Sequence, residues 1–300
     1  FNYCTVDPPA LVHNPEIGCI SRYAWGDDYH ELIRTKLRVL ENYICQELNA
    51  GNLSRSFVDS GPVLEREIAQ RAGLGWIGKH SNLINMEKGS WFFLAELLVD
   101  VPLETNLPFT RVDCGTCTIC IDACPTEAII ADRTLDARLC ISYLTIELKG
   151  AIPVELRPKM SNMIFGCDIC QEVCPWNQNA SKSSESGLRP RPENVAPELI
   201  ELMKLDQSAF KKRFHKSPIK RTKRRGLLRN VAVALGNWAH ESAIPALSLG
   251  LQDSEPLVRS HAAWALGRIS ASQAKINLKA AKTTEKDPSV LEEIEAALSS

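Results

Sequence analysis

A chain of 300 residues leaves room for two or three domains with real cores, and its makeup, 44% hydrophobic and 24% charged, is that of an ordinary globular protein. A net charge of −1 excludes recognition by overall charge, so any polyanion must meet a local patch. No apolar run approaches the roughly 20 residues that cross a bilayer, and no signal peptide is evident. With most cysteines clustered as for metal, a reducing cytoplasm and no membrane partner are expected.

The chain opens at Phe1 without Met, in what reads as the end of a strand (Phe1-Asn2-Tyr3), so an N-terminal part of the first domain is expected to be missing. Cys4, Cys19 and Cys45 are scattered and read as ordinary thiols. After the Asp7-Pro8-Pro9 loop, Tyr29–Leu48 carries Leu32, Ile33, Leu37, Leu40, Ile44 and Leu48 at the spacing of an amphipathic helix. A short strand ending at Asp59 is followed by a Gly61-Pro62 turn and a helix from about Pro62, with Leu64, Ile68 and Ala72 on it and Gly73 as its stop. Ser90–Val101 (SWFFLAELLVDV) reads as a buried strand. Strands alternating with helices make residues 1–105 an α/β or α+β domain.

Two segments of that domain are too polar for plain core. Arg22, Tyr23, Trp25, Asp27, Asp28, Tyr29 and His30 gather charges and aromatics beside Gly26. Gly73, Gly75 and Gly78 frame Trp76, Lys79, His80, Ser81 and Asn82. Such a loop either cradles an anionic group or is a structural turn, since it matches neither the P-loop nor the dinucleotide fingerprint. Asp59, at a strand end before Gly-Pro, is either a functional carboxylate or a helix cap.

Cys114-x-x-Cys117-x-x-Cys120-x-x-x-Cys124-Pro125 matches the bacterial ferredoxin ligand run, in which the fourth Cys crosses to the other cluster. Cys167-x-x-Cys170-x-x-x-Cys174-Pro175 repeats its second half, and Cys140 lies between. Two 4Fe-4S clusters call for eight thiolates. The crossover assigns Cys114, Cys117, Cys120 and Cys174 to one cluster and Cys124, Cys140, Cys167 and Cys170 to the other. Zinc sites show separated C-x-x-C pairs, a poorer match. Residues 106–180 are thus expected to form a ferredoxin-like domain. Clusters pass electrons singly, and residues 1–105 carry no redox group, so a bound cofactor is implied.

Residues 181–300 open on a polar linker, Ser181–Arg191. Phe210–Arg225 then carries Lys211, Lys212, Arg213, Lys216, Lys220, Arg221, Lys223, Arg224 and Arg225 with no acid among them. That run suggests a nucleic-acid phosphate backbone as partner. RNVAVALGNW from Arg229 and RSHAAWALGRI from Arg259 share an Ala-Leu-Gly triplet, and Pro245 and Pro256 precede the following helices. The repeat is similar to HEAT repeats. Asp253-Ser254-Glu255-Pro256 reads as a helix start.

With RYAWGDDYH, VDSGPVLER, GLGWIGKHSNL, CGTCTICIDACP, CISYLTIELKG and CDICQEVCPWN in this order, the chain resembles the epoxyqueuosine reductases, relatives of reductive dehalogenases. The resemblance covers nearly the whole chain. It implies an α+β protein with an α/β cobalamin-binding domain, a ferredoxin-like two-cluster domain and C-terminal helical HEAT-like repeats. It implies reduction of epoxyqueuosine to queuosine at the wobble position of a tRNA anticodon, with electrons passing from the clusters to cobalamin. Asp59 would be the proton donor to the opening epoxide, keeping its proton through burial beside an apolar corrin. Arg22, Tyr23, Trp76, Lys79, His80, Ser81 and Asn82 would contact cobalamin or the modified base. Tyr143, Thr145 and Glu147 would face the cofactor or the tRNA, and Lys220, Arg221, Lys223, Arg224 and Arg225 would bind tRNA. The D-x-H-x-x-G motif is absent, because Ile33 stands where its Gly belongs, so cobalamin is expected base-off, with no protein His below cobalt. A monomer fed by an electron donor is expected.

The residues leave other classes open. A ferredoxin-like electron carrier would bind no corrin, and an RNA-binding scaffold would hold its clusters structurally. A reductive dehalogenase is the nearer enzyme alternative, and the basic run and helical repeats speak against it.

Overall fold

The longest element is the amphipathic helix read from the sequence, Tyr29–Leu48. Asp28 caps it, its carboxylate accepting the His30 N–H at 3.2 Å. Of its stripe, Ile33 and Leu37 are buried, Leu32 and Ile44 half-buried, and Leu40 exposed. The computed structural model describes residues 1–48, 55–110 and 114–299. Among these no helix is long and apolar enough to cross a membrane.

The chain folds into two interleaved units. The first comprises Phe1–Asp7, Gly26–Asp136 and Asp168–Pro190; the second comprises Pro8–Trp25, Ala137–Cys167 and Arg191–Ser300. In the first, helices alternate with short antiparallel ladders, Arg55–Phe57 with Glu96–Leu98, Trp76–Ile77 with Leu83–Ile84, and Ile129–Ala131 with Thr134–Leu135. The expected buried strand Ser90–Val101 is shorter and more open than its composition suggested. Trp91 is buried, but only Glu96–Leu98 forms a ladder, and Leu98 is exposed. Among the described residues Glu96–Leu98 pairs with one strand, Arg55–Phe57, and Phe92 bridges Asn2. The helix expected from Pro62 starts later, at Glu65, and ends at Arg71 before Gly73, whose φ of 77° suits the left-handed stop.

The second unit is built on the repeat. Helices Lys223–Trp238, Pro256–Gly267 and Pro288–Ser299 pack in succession. The Ala-Leu-Gly triplets explain how closely. A Cβ on Gly236 would lie 2.6 Å from the Trp264 ring and 2.8 Å from Cα of Ala265. Pro256 takes the first helical turn, where its missing N–H costs nothing.

Arg229 lies fully buried in this apolar array. Its guanidinium donates to the carbonyls of Leu144 at 2.6 Å, Leu148 at 2.8 Å and Gly150 at 2.7 Å. Asn230 donates to the carbonyls of Thr145 and Ile164, both at 2.8 Å. The helix Ile141–Ile146 thus ends against a cation that meets its unpaired carbonyls and the negative end of its dipole. Burial, with Arg225 nearby, lowers the Arg229 pKa to about 10, which still leaves it charged at neutral pH. Arg229→Met should destabilise the protein by about 3 kcal/mol, because three buried carbonyls lose their donor. The urea midpoint should fall at constant slope, and an unchanged midpoint would remove Arg229 from the frame.

Candidate functional site

The thiols sit on short, tightly wound elements. Cys120 lies in helix Ile119–Asp122 and Cys170 in helix Ile169–Glu172, and these two helices pack together. Asn177, just past Cys174, fixes the second Cys loop by donating to Ser90 Oγ at 2.9 Å and accepting the Ser90 N–H at 2.6 Å. Gln171 adds a bond to the Ser90 carbonyl at 2.9 Å.

Cys114, Cys117, Cys120 and Cys174 share one electrostatic neighbourhood. Burial first, then the neighbouring Cys174, Cys114 and Cys117, pushes the Cys120 thiol up to about 11. Cys174 is raised by burial, and also by Cys114 and Cys117. Thiols so placed hold their protons until a cationic centre draws them off as thiolates. No three His, Cys, Asp or Glu among the described residues stand as ligands of a single ion. Three Cys at successive spacings of three followed by Cys-Pro suit a cluster better than zinc. Of the other four, Cys124 already accepts the Ala128 N–H at 3.3 Å. Cys140 begins helix Ile141–Ile146, and Cys167 follows Gly166. Cys124 and Cys170 belong to the first unit, Cys140 and Cys167 to the second.

Asp59 is not the cap of the helix after it. That helix begins at Glu65 behind Leu64, with no side-chain cap. Asp59 instead sits on an exposed turn with φ of 57°, a conformation non-glycine residues rarely adopt. Tyr29, buried and stacked on Phe93 at 3.9 Å, donates its hydroxyl to Asp59 Oδ2. The Asp59 N–H donates to Glu65 Oε1 at 2.6 Å. Strand pairing sets Glu96 opposite Phe57, and burial followed by the charge of Glu65 raises its pKa to about 7. Glu65 is likewise raised, by burial first. Tyr29, Glu65 and Glu96 escaped the sequence reading as partners of Asp59. Glu65 lay in the VDSGPVLER motif, but only the ladder brings Glu96 to it.

The loop after Gly75 is a tight hairpin rather than an open phosphate cradle. A Cβ on Gly75 would fall 2.0 Å from the Ile84 carbonyl oxygen. Lys79 pairs with Asp132 at 3.4 Å. The Asn82 N–H donates to His80 Nδ1 at 3.2 Å, which leaves the His80 proton on Nε2. His80 Nε2, Ser81 Oγ and Trp76 Nε1 are buried without a hydrogen-bond partner among the described residues. Trp76 is core, packed with Ile84 and Cys174 and flanked by Phe109, Cys114 and Trp176.

The remaining candidates lie in the second unit. Arg22 and Tyr23 form a 3-10 turn, Arg22–Ala24, with the Tyr23 ring 6.1 Å from Phe165. Tyr143 packs against the core. Thr145, expected to face a ligand, is instead fully buried, its hydroxyl donating to the Ile141 carbonyl at 2.8 Å and accepting the Gly166 N–H at 2.9 Å. Glu147 pairs with Arg221. The basic run, acid-free in sequence, also draws Asp253 onto Arg224 and Glu255 to 3.8 Å from Arg225. Of Arg221, Arg224 and Arg225, expected to bind tRNA, Arg224 is therefore tied within the fold, whereas Arg221 and Arg225 form solvent-exposed pairs. Lys220 and Lys223 stand exposed, as do Lys211, Lys212 and Lys216.

Comparison with known proteins agrees with this layout. Residues 113–177 match the 4Fe-4S double cluster binding domain, residues 1–60 the family described as epoxyqueuosine reductase QueG, and residues 221–299 HEAT repeats. An epoxyqueuosine reductase from Escherichia coli is 49% identical over 259 residues, which cover 86% of this chain and 68% of that protein. A crystal structure of an epoxyqueuosine reductase with an epoxyqueuosine-modified tRNA-Tyr stem loop is 34% identical, with a TM-score of 0.92 over 100% of this chain and 79% of that one. The Bacillus subtilis enzyme, solved with its catalytic aspartate loop swung out of the active site, is 33% identical, with a TM-score of 0.90 over 100% and 79% of the two chains.

Burial lowers His80 from its ordinary 6.5 to about 4, so it is neutral in the fold. The unfolded chain then binds the extra proton between those values, and stability falls as pH drops below 6.5. From about pH 7.5 to 5.5 the loss from this group should be about 1 kcal/mol. His80→Gln should remove that part of the slope in urea titrations, and an unaltered slope would contradict the assignment.

Proposed function

The chain belongs to the epoxyqueuosine reductase family, and from that we propose that it reduces epoxyqueuosine to queuosine at the wobble position of a tRNA anticodon. Substrate and product differ by the epoxide oxygen, whose departure as water takes two electrons and two protons. A single observation carries the active-site part of the reading: Asp59 is held on a positive-φ turn by the buried Tyr29 hydroxyl, in the unit that also carries four convergent thiols.

In this reading residues 1–105 form the catalytic region, 106–180 the two-cluster region and 181–300 the basic linker and repeats. Cys114, Cys117, Cys120 and Cys174 hold one 4Fe-4S cluster, and Cys124, Cys140, Cys167 and Cys170 hold the other, fed by an external electron donor. Cobalamin, bound base-off, would supply a metal centre able to break the carbon–oxygen bond. The fit rests on His80 Nε2 and Ser81 Oγ, two buried neutral donors without partners, which suit the amide carbonyls of a corrin rim. Arg22, Tyr23, Tyr143 and Glu147 are the further contacts proposed toward cofactor or modified base. Thr145 is withdrawn from that set because its hydroxyl is used on both sides.

Asp59 delivers a proton to the oxygen as the ring opens, and Tyr29 holds its carboxyl in position. General-acid assistance is worth about 10²–10⁴ in rate. Asp59→Asn should lose turnover of that order while iron content and tRNA affinity stay unchanged. Normal turnover would eliminate Asp59.

For tRNA, the lysines of the basic run are the proposed phosphate ligands. Changing Lys220 and Lys223 to Gln should reduce the salt slope of tRNA binding by about one for each phosphate no longer neutralised. Arg224→Gln, which breaks the pair with Asp253, should lower stability and leave that slope unchanged. An equal slope change in both variants would reject this division.

A further inference from the structure

Trp76 presents a buried donor with a chemically narrow choice of acceptor. The side chain is 1% exposed, and its Nε1–H has no partner among the described residues. A buried indole N–H normally finds one. In its apolar cluster Trp76 lies with Ile84 and Cys174, against Phe109, Cys114 and Trp176. Within that cluster Ile84 and Phe109 carry no polar side-chain atom, and a second indole only donates. Cys114 and Cys174 are its acceptor-bearing side chains, and both belong to the four convergent thiols. The ring itself is fixed by Phe109 at 5.4 Å and 22° and by Trp176 at 4.9 Å and 78°. Hairpin pairing of Trp76 with Ile84 fixes the backbone beneath it.

We infer that the Trp76 indole N–H donates a hydrogen bond to sulfur of the cluster held by Cys114, Cys117, Cys120 and Cys174, and so sets the potential at which that cluster accepts its electron. The inference rests on the proposed assignment of that cluster to these four thiolates. The reduced cluster carries one more negative charge, so a donor at its sulfur favours the reduced form. Hydrogen bonds to sulfur and exclusion of water are the means by which a protein tunes such centres. Trp76 is then a tuning residue for electron transfer within the enzyme rather than a contact for the corrin.

Trp76→Phe keeps a six-membered aromatic ring against Phe109 and Trp176 and removes the donor with the five-membered ring, a truncation that Trp176→Phe matches. In an EPR-monitored redox titration of the reconstituted protein, reduction of this cluster should become about tenfold less favourable, a shift of about 59 mV to lower potential. Trp176→Phe, which leaves that donor in place, should not reproduce the shift. An intact cluster with unchanged potential in Trp76→Phe overturns the inference. Should that variant fail to take up iron, the unsubstituted protein decides. With ¹⁵N-indole tryptophan, pulsed EPR of the reduced cluster should detect a coupled ¹⁵N and a proton that exchanges in D₂O, both persisting in Trp176→Phe. Absence of both couplings overturns the inference. Iron analysis of Cys174→Ser tests the ligand assignment separately, since that variant should lose about half its iron.

Discussion

A single buried guanidinium organises the second unit. Arg229 enters from a repeat helix and meets three backbone carbonyls at the end of helix Ile141–Ile146 and just beyond it. Neighbouring polar groups of the repeat act on the same stretch of chain. Asn230 reaches the Thr145 and Ile164 carbonyls, and Asn237 those of Arg157 at 2.9 Å and Ser161 at 2.8 Å. His261, kept neutral by burial, accepts the Ile152 N–H at 3.1 Å. Each buried polar group of the repeat would be costly alone, and each is matched to irregular backbone that has no ladder of its own. Cys140 opens the segment so held and Cys167 closes it. The helical array therefore braces the backbone between two of the proposed cluster thiolates.

The first unit is subject to the same desolvation that acts on Arg229 and His261. Three of its groups are pushed toward their uncharged forms: the Cys120 thiol upward, His80 downward, Glu96 upward. Desolvation is the largest cause in all three. Such a setting keeps competing charge away from two places, the thiols awaiting a cationic centre and the turn of Asp59. Tyr29 bridges the turn to an aromatic stack with Phe93, so the exposed carboxylate is aimed by a rigid ring behind it.

The parts legible in the sequence are those whose chemistry depends on short spacing. The cysteine runs, within the stretch that matches the 4Fe-4S double cluster domain, recur within a few residues, and the helix Tyr29–Leu48 and the Ala-Leu-Gly triplets are likewise local patterns. The misread parts depend on partners far along the chain. Arg221, Arg224 and Arg225 looked unpaired because Glu147, Asp253 and Glu255 lie outside the run. Thr145 looked like a ligand residue because nothing local reveals that Gly166 uses its hydroxyl. Ser90–Val101 looked like a buried strand because hydrophobicity does not report how few strands pair with it among the described residues. Asp59 stood open between a cap and a functional carboxylate, and the cap reading falls because the helix starts six residues later, at Glu65.

The interleaving of the two units has a consequence for biosynthesis. A ribosome releases Cys114 to Cys124 well before Cys174, and Cys140 and Cys167 well before Arg229 and Asn230, which fix the backbone between them. Chains emerge N-terminus first and fold as their units are completed. For a long interval of translation the early thiols are therefore held by no finished fold. Under the proposed ligand assignment, iron and sulfide would be loaded onto the completed chain.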